Sequence, residues 1–207
     1  MKLIIFIHTC SLYEKSRALL VEACWGTDVD IVFITDNPHS KLLNHIYIGP
    51  YVKGPTYHPT TVIKMFNIFL TKYSDYDFYM IVDDDAYVNV ENLKTYLSFC
   101  DPSKSLMIGD YLNWTDFFYK EPYNDYTKWV GGGSGIVFTK SSIQQILKLN
   151  SPHCNHDVWL HSLYMKSDRT IQRIHCPGFY QFPPTDKRKI ISVHLNHDMK
   201  LLDYFKN

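Results

Sequence analysis

The chain has 207 residues, of which 45% are hydrophobic and 20% are charged, a composition typical of one globular domain spanning residues 1–207. Its 21 Lys and Arg balance its 21 Asp and Glu, which removes the electrostatic reason to expect a nucleic acid or an anionic membrane as partner. No apolar run reaches the roughly 18 residues of a membrane span, and the first apolar run is too short for a signal peptide. The five cysteines lack the regular spacing of a disulfide framework. We therefore expect a cytoplasmic protein.

Buried strands alternate with amphipathic helices along the chain. Continuous apolar runs at residues 3–7 and 30–34 flank a helical pattern at 13–25, and this strand–helix–strand unit predicts parallel pairing with a right-handed crossover. Further helices are predicted at about 60–73, 90–99, 141–149 and 158–166, and further strands at 78–82, 106–108, 136–139 and 190–194. The pattern predicts an α/β protein whose central, mostly parallel mixed sheet is flanked by helices.

Three consecutive carboxylates follow the most apolar strand. Residues 78–82 run directly into Asp83, Asp84 and Asp85, and Asp83 and Asp85 point to the same side because side chains alternate along an extended chain. Open α/β sheets bind ligands at this end of their strands, and carboxylate oxygens favour Mg²⁺ or Mn²⁺. A solvated acidic turn or a helix cap is the other interpretation. The core strand immediately before the triplet favours a metal site.

Seven short segments, in this order, resemble the Fringe and core-1 β1,3-galactosyltransferase group, family 31 of the glycosyltransferases. They are F-I-T-D at 33–36, K-M at 64–65, F-Y-M-I-V-D-D-D-A-Y-V-N-V at 78–90, I-G at 108–109, G-G-S-G-I-V at 132–137, H-D-V at 156–158 and S-V-H at 192–194. Each segment alone is weak, but seven in the correct order are specific. The resemblance implies a GT-A fold and a UDP-sugar donor.

The resemblance also implies a role for particular residues. Asp85 and His194 would bind the metal, and a nitrogen ligand beside a carboxylate favours Mn²⁺ over Mg²⁺. Asp157 would be the general base of an inverting transfer. The predicted contacts of the nucleotide sugar are Thr9, Asp36, Lys64, Asp83, Asp84, Gly132 and Gly133.

Each of these roles has a structural alternative. Asp157 precedes an apolar helix, where an N-cap is a common role of aspartate, and the base is the favoured interpretation of the two. It follows His156, where the family has an acidic residue, and this departure makes the base less secure. His194 ends a predicted strand, and a histidine in such a position is commonly a core residue whose ring nitrogens are hydrogen-bonded within the protein. The glycines at 131–135 fit either a flexible turn or a close approach of the backbone to a sugar.

An aromatic segment is the predicted site for the acceptor, a glycan or glycoprotein. Aromatic faces stack well on sugar rings, although packing in a satellite core explains such a segment equally well. Its members are Tyr111, Trp114, Phe117, Phe118, Tyr119, Tyr123 and Tyr126. The sequence lacks the membrane anchor, stem and disulfides of the family, which fits a minimal form of the kind that viruses or bacteria encode, in the host cytoplasm if viral.

Three other functions remain open at this point. A retaining transferase can use the same Asp-rich metal site, and a binding module can keep the UDP-sugar pocket without catalysis. A structural zinc site would draw on His153, Cys154, His156, His175 and Cys176. Their spacing matches no standard zinc-finger pattern.

Overall fold

A seven-stranded mixed sheet organises the computed structural model, which describes residues 1–51, 57–113, 128–149 and 156–206. The strands of the chain are β1 Leu3–His8, β2 Asp30–Thr35, β3 His45–Tyr47, β4 Phe78–Asp83, β5 Ala86–Val88, β6 Leu106–Gly109, β7 Tyr111–Asn113, β8 Lys128–Val130, β9 Ile136–Thr139, β10 Gln172–His175, β11 Phe179–Tyr180 and β12 Ser192–His194. The helices are α1 Leu19–Cys24, α2 Tyr57–Lys72, α3 Val90–Leu97, α4 Lys140–Ile146, α5 His156–Lys166 and α6 Leu201–Lys206. A π-helical turn, Glu14–Ala18, leads directly into α1.

The large sheet has the strand order β10-β6-β9-β4-β1-β2-β3. All neighbouring pairs are parallel except those of β9, which runs antiparallel to both β4 and β6. In the centre, β1 pairs with β4 from Leu3 opposite Phe78 to His8 opposite Asp83. The predicted α/β class and the mostly parallel mixed sheet are therefore confirmed.

Apolar side chains on both faces explain why the central strands are continuous hydrophobic runs. Ile5 and Ile7 of β1 lie in one buried cluster, and Ile4 and Phe6 lie in the other. A strand covered on both faces needs no polar positions, so β1 contains five buried residues in succession before His8. In the observed register, the first polar residues after these runs, His8 and Asp83, lie side by side at the carboxyl ends of β1 and β4.

A small second sheet, in the order β11-β12-β5, brings the end of the chain beside the aspartates. β12 is antiparallel to β5, with His194 opposite Ala86. The backbone N–H of Leu195 then donates to the carbonyl of Asp85 at 2.8 Å. Because β5 begins one residue after Asp85, this pairing places His194 next to the acidic triplet across more than a hundred residues of sequence.

The structure adds detail to the predicted elements. The helix predicted at 13–25 begins as a π-helical turn and becomes α-helical at Leu19. The last strand is shorter than predicted, Ser192–His194, and the helix predicted at 141–149 is Lys140–Ile146. Six short strands, β3, β5, β7, β8, β10 and β11, were not predicted. Within the described ranges, every helix is too short or too polar to cross a bilayer.

Candidate functional site

A cavity of about 620 Å³ opens at the carboxyl ends of β1 and β4. Its lining includes six residues that the sequence assigned to the metal or the donor: Thr9, Asp36, Asp83, Asp84, Asp85 and His194. It also includes Arg17, Tyr51 and His197, which the sequence had not assigned. The predicted ligand-binding edge of the sheet is thus a real cavity lined by most of the predicted residues.

Three side chains in this cavity converge as ligands would around one ion. One ligand atom from each of Asp83, Asp85 and His194 lies within 4.8 Å of the other two. Nε2 of His194 lies 3.2 Å from Oδ1 of Asp85. Adjacent ligands of an octahedral ion with bonds of about 2.1 Å are about 3 Å apart, so this separation fits Mg²⁺ or Mn²⁺. The sequence had assigned Asp83 to the sugar donor, whereas the structure groups it with the two predicted ligands.

Asp85 is the most strongly bonded carboxylate of the cavity. Its side chain is 2% exposed, and it accepts from Arg17 at 3.3 Å and faces Nδ1 of His197 at 2.5 Å. Burial acts to raise its pKa, but the hydrogen bond and charge of His194, together with Arg17 and His197, outweigh it and lower the pKa to about 2. Asp85 is therefore ionised throughout the neutral range, as a metal ligand must be.

Asp84 has the opposite electrostatic character although it is the next residue. The hydroxyl of Thr9 donates to its Oδ2 at 2.6 Å, and Arg17 donates to its Oδ1 at 3.3 Å. Burial raises its pKa to about 6 and is only partly offset by Thr9 and Arg17, while the charges of Asp85 and Asp83 raise it further. Two adjacent carboxylates with well-separated pKa values are a frequent feature of functional sites.

The ring of His194 is fixed by its surroundings. Burial acts to lower its pKa, but the hydrogen bond and charge of Asp85 prevail, and the pKa is raised above the ordinary value. Nδ1 of the ring lies 3.2 Å from the side-chain nitrogen of Gln181. A Cβ on Gly133 would lie 2.4 Å from that nitrogen and 2.8 Å from the ring. Gly133 therefore packs against the Cγ and Nδ1 side of the His194 ring, whereas Nε2 faces Asp85. A larger residue at position 133 would displace the ring.

The other residues predicted to contact the nucleotide sugar do not all lie at this cavity. Asp36 accepts from the backbone N–H of Ser11 at 2.6 Å, which holds the two sides of the cavity together. Lys64 is not among the cavity residues that the structure describes, and its ammonium donates to the carbonyl of Ile48 at 2.5 Å. Gly132 borders a separate small void beside Val62 and Leu160. The structure thus gathers Thr9 and Asp36 at the cavity but leaves Lys64 and Gly132 outside its described lining.

Asp157, the predicted base, lies in the first turn of α5 as its second residue. One carboxylate oxygen accepts from the backbone N–H of Val158 at 2.8 Å, and the other accepts from the indole N–H of Trp129 at 3.1 Å. A carboxylate is favourable at this end of a helix dipole. Trp129 is buried in β8, so its indole gives this carboxylate a fixed orientation. Asp157 is not among the described residues that line the cavity of Asp85.

Sequence reasoning missed Arg17, Gln181 and His197. Arg17 lies on the π-helical turn, with its guanidinium carbon 3.7 Å from the ring centroid of Tyr13, and π-helical turns are frequent at functional sites. His197 follows His194 at a spacing of three, which is the one pattern that sequence inspection could have used. No local pattern distinguishes Arg17 or Gln181 from other polar surface residues.

Some predicted residues fall outside the described part of the chain. These are Trp114, Phe117, Phe118, Tyr119, Tyr123 and Tyr126 of the aromatic segment, and His153 and Cys154 of the zinc alternative. Of the remaining zinc residues, Cys176 is buried in the apolar core, whereas Nδ1 of His175 lies 3.8 Å from Asp110. Among the described residues, the three-residue group able to hold a metal consists of Asp83, Asp85 and His194.

Comparisons with known proteins agree with this fold. The model of the Fringe-like family matches residues 1–172, and the chain therefore belongs to this family of glycosyltransferases. The β-1,3-glucosyltransferase of Mus musculus is 21% identical over 198 residues, which cover 93% of this chain and 39% of the mouse protein. The chain thus spans about two fifths of the length of that relative.

A solved structure gives independent support for the fold. The crystal structure of a glycosyltransferase involved in the glycosylation of the major capsid of PBCV-1 superposes with a TM-score of 0.57. The identity is 13%, and the match covers 100% of this chain and 98% of that chain. The family resemblance and the GT-A fold that were predicted from the sequence are both confirmed.

Proposed function

We propose that this protein transfers a sugar from a UDP-sugar to a hydroxyl group of a glycan or glycoprotein acceptor, with the help of Mn²⁺ or Mg²⁺. The observation that carries the proposal is the convergence of Asp83, Asp85 and His194 in one cavity. Membership of the Fringe-like family supports a sugar donor. The mouse relative is named a β-1,3-glucosyltransferase, which makes UDP-glucose the first donor to test.

Different residues of the cavity would bind the cation and orient the UDP-sugar. Asp85, already ionised, and His194 would hold the cation together with Asp83. The ion would supply positive charge to the diphosphate as it leaves, which is Lewis-acid assistance. Thr9, Asp36 and Asp84 line the same cavity, where they would orient the nucleotide and the sugar. A preorganised charge costs no reorientation of water at the moment of reaction.

Asp157 is the proposed general base of an inverting transfer. Trp129 holds one oxygen of its carboxylate, and the remaining lone pairs can accept the proton of the acceptor hydroxyl as the new bond forms. General-base catalysis of this kind contributes about 10²–10⁴ in rate. A retaining reaction at the same metal site is the alternative, and it predicts the opposite product anomer.

A UDP-sugar panel with Mn²⁺ tests the proposal. Turnover of one donor should depend on Mn²⁺ and disappear in Asp85→Asn, and the product anomer read by NMR should be inverted. Retention of the donor's configuration would support the alternative mechanism. Binding of UDP without turnover of any donor, with and without acceptors, would instead identify a non-catalytic binding module. If neither UDP nor any UDP-sugar binds more tightly than GDP or CMP, the proposed donor is wrong.

A further inference from the structure

The two carboxylate oxygens of Asp85 have different partners. Oδ1 faces Nε2 of His194 at 3.2 Å. Oδ2 accepts from Nη1 of Arg17 at 3.3 Å and from the backbone N–H of His197 at 3.1 Å, and it faces Nδ1 of His197 at 2.5 Å. A carboxylate oxygen has about two lone-pair sites. Nδ1 of His197 is the nearest of these three donors, and the more distant Arg17 is shared with Asp84, so the imidazole is the main partner of Oδ2. Oδ1 instead points toward the other predicted ligand.

The turn that carries His197 adopts an unusual backbone conformation. Asn196 has φ 50° and His197 has φ 71°, so two consecutive non-glycine residues are left-handed. This conformation costs free energy and persists only where the surrounding contacts determine it. Two hydrogen bonds to Asp85 determine it here. The backbone N–H of Leu195 donates to the carbonyl of Asp85, and the backbone N–H of His197 donates to its carboxylate. The turn is therefore built around one residue, Asp85.

The imidazole of His197 has a defined role in this turn. Because Oδ2 of Asp85 is an ionised acceptor, the nearby Nδ1 of His197 must carry the proton. A neutral imidazole with its proton on Nδ1 leaves Nε2 as an acceptor, on a side chain that is 71% exposed. His197 thus adds a side-chain donor to the backbone donor of the same residue, and both act on the same oxygen.

We propose that His197 is a positioning residue that retains Oδ2 of Asp85, so that Asp85 offers a cation Oδ1 alone. This inference rests on the metal site of the proposed function and specifies which ion it takes. A carboxylate restricted to one oxygen suits the six-coordinate Mn²⁺ or Mg²⁺. Ca²⁺ takes six to eight oxygens and often binds a carboxylate through both of them. His197 is therefore a determinant of selectivity against Ca²⁺.

Two glycine variants separate this role from a general effect on the turn. His197→Gly keeps the backbone N–H and tolerates the left-handed conformation but removes the imidazole. Asn196→Gly relaxes the same turn and leaves the imidazole in place. Protein freed of metal with EDTA would be titrated with Mn²⁺ and with Ca²⁺ by calorimetry, and thermal unfolding would confirm that each variant is folded.

We expect His197→Gly to weaken Mn²⁺ binding about tenfold or more, as loss of a hydrogen bond to a metal ligand typically does. The ratio of Mn²⁺ to Ca²⁺ affinity should fall in the same variant. Asn196→Gly should leave both affinities within about twofold of the wild type. If His197→Gly behaves like Asn196→Gly, or weakens both ions equally, the proposal is overturned.

A second measurement does not need the metal. In metal-free protein at a pH where the imidazole is neutral, ¹⁵N NMR should show the proton of His197 on Nδ1. A proton on Nε2 would overturn the inference and leave the proposed function untouched. Conversely, a wild type that binds Mn²⁺ but not UDP would contradict the proposed function only. A wild type that binds neither cation would contradict both.

Discussion

The guanidinium of Arg17 stacks on the ring of Tyr13, with its carbon 3.7 Å from the ring centroid. The stacked group donates to Asp84 and Asp85, each at 3.3 Å. Arg17 is 12% exposed, so it is a nearly buried cation between two nearly buried carboxylates. In the metal-free protein it provides the fixed positive charge that lets three adjacent aspartates lie at the end of one strand.

Removal of this charge should destabilise the metal-free protein. Arg17→Met keeps much of the apolar stem but leaves two buried carboxylates without their cation, a change that costs about 3 kcal/mol in comparable sites. Urea denaturation in EDTA would measure the free energy of unfolding, and Mn²⁺ should recover part of the loss. Lys15→Met, an exposed change in the same turn, is the control. Equal stability of Arg17→Met and wild type would contradict this view of Arg17.

The titration of Asp84 should appear as a pH dependence of stability. Its pKa is raised from 3.8 to about 6, so the native state binds this proton more tightly than the unfolded state. The resulting stabilisation is fully present below about pH 3.8 and is lost as the pH rises through about 6. Asp84→Asn cannot titrate and supplies the reference.

In EDTA, the free energy of unfolding of the wild type relative to Asp84→Asn should fall by about 2 kcal/mol between pH 4 and pH 7. Urea denaturation across this range measures the difference directly. A difference that stays constant over the whole range would show that the pKa of Asp84 is not raised.

The contact between Gly133 and His194 gives a prediction about cation affinity. Ala at position 133 would put its Cβ 2.8 Å from the His194 ring, which must displace the ring from its present position beside Asp85. We expect Gly133→Ala to weaken Mn²⁺ binding about tenfold. Gly26→Ala is a matched control, because its Cβ would meet Ile31 at 2.8 Å in a different part of the fold. That control should lower stability and leave Mn²⁺ affinity unchanged, and the same affinity in all three proteins would refute the positional role of Gly133.

Asp157 should affect transfer and not donor binding. Asp157→Asn keeps the shape of the side chain and should reduce the rate of transfer by about 10²–10⁴, while UDP binds with Mn²⁺ as before. Trp129→Phe removes the indole donor at 3.1 Å and should give a smaller loss in the same direction. Transfer at the wild-type rate by Asp157→Asn would exclude this residue as the base.

Much of this fold was accessible from the sequence because β1, β2 and β4 are buried on both faces. Their continuous apolar runs identify them without any tertiary information. The position of Asp83 to Asp85 at a ligand-binding edge follows directly from β4. The order of the seven family-like segments then identified His194, which no local pattern would distinguish from the other histidines.

The remaining parts of the site depend on long-range pairing. His194 reaches Asp85 through the antiparallel pair of β12 and β5, each only three residues long. Strands of this length have no readable periodicity. His197 reaches the same carboxylate through two left-handed residues, a conformation that Asn196 permits but that nothing in the neighbouring sequence requires. The partner of Asp157, Trp129, lies on another short strand.

The central claim is that Asp83, Asp85 and His194 hold a divalent cation that in turn binds the diphosphate of UDP. Calorimetric titration of UDP into wild-type protein, with Mn²⁺ and then with EDTA, tests it most directly, with Asp85→Asn as the matched variant. We predict measurable UDP binding by the wild type with Mn²⁺, and a loss of at least tenfold in affinity both in EDTA and in Asp85→Asn. Equal UDP affinity under all three conditions would contradict the claim.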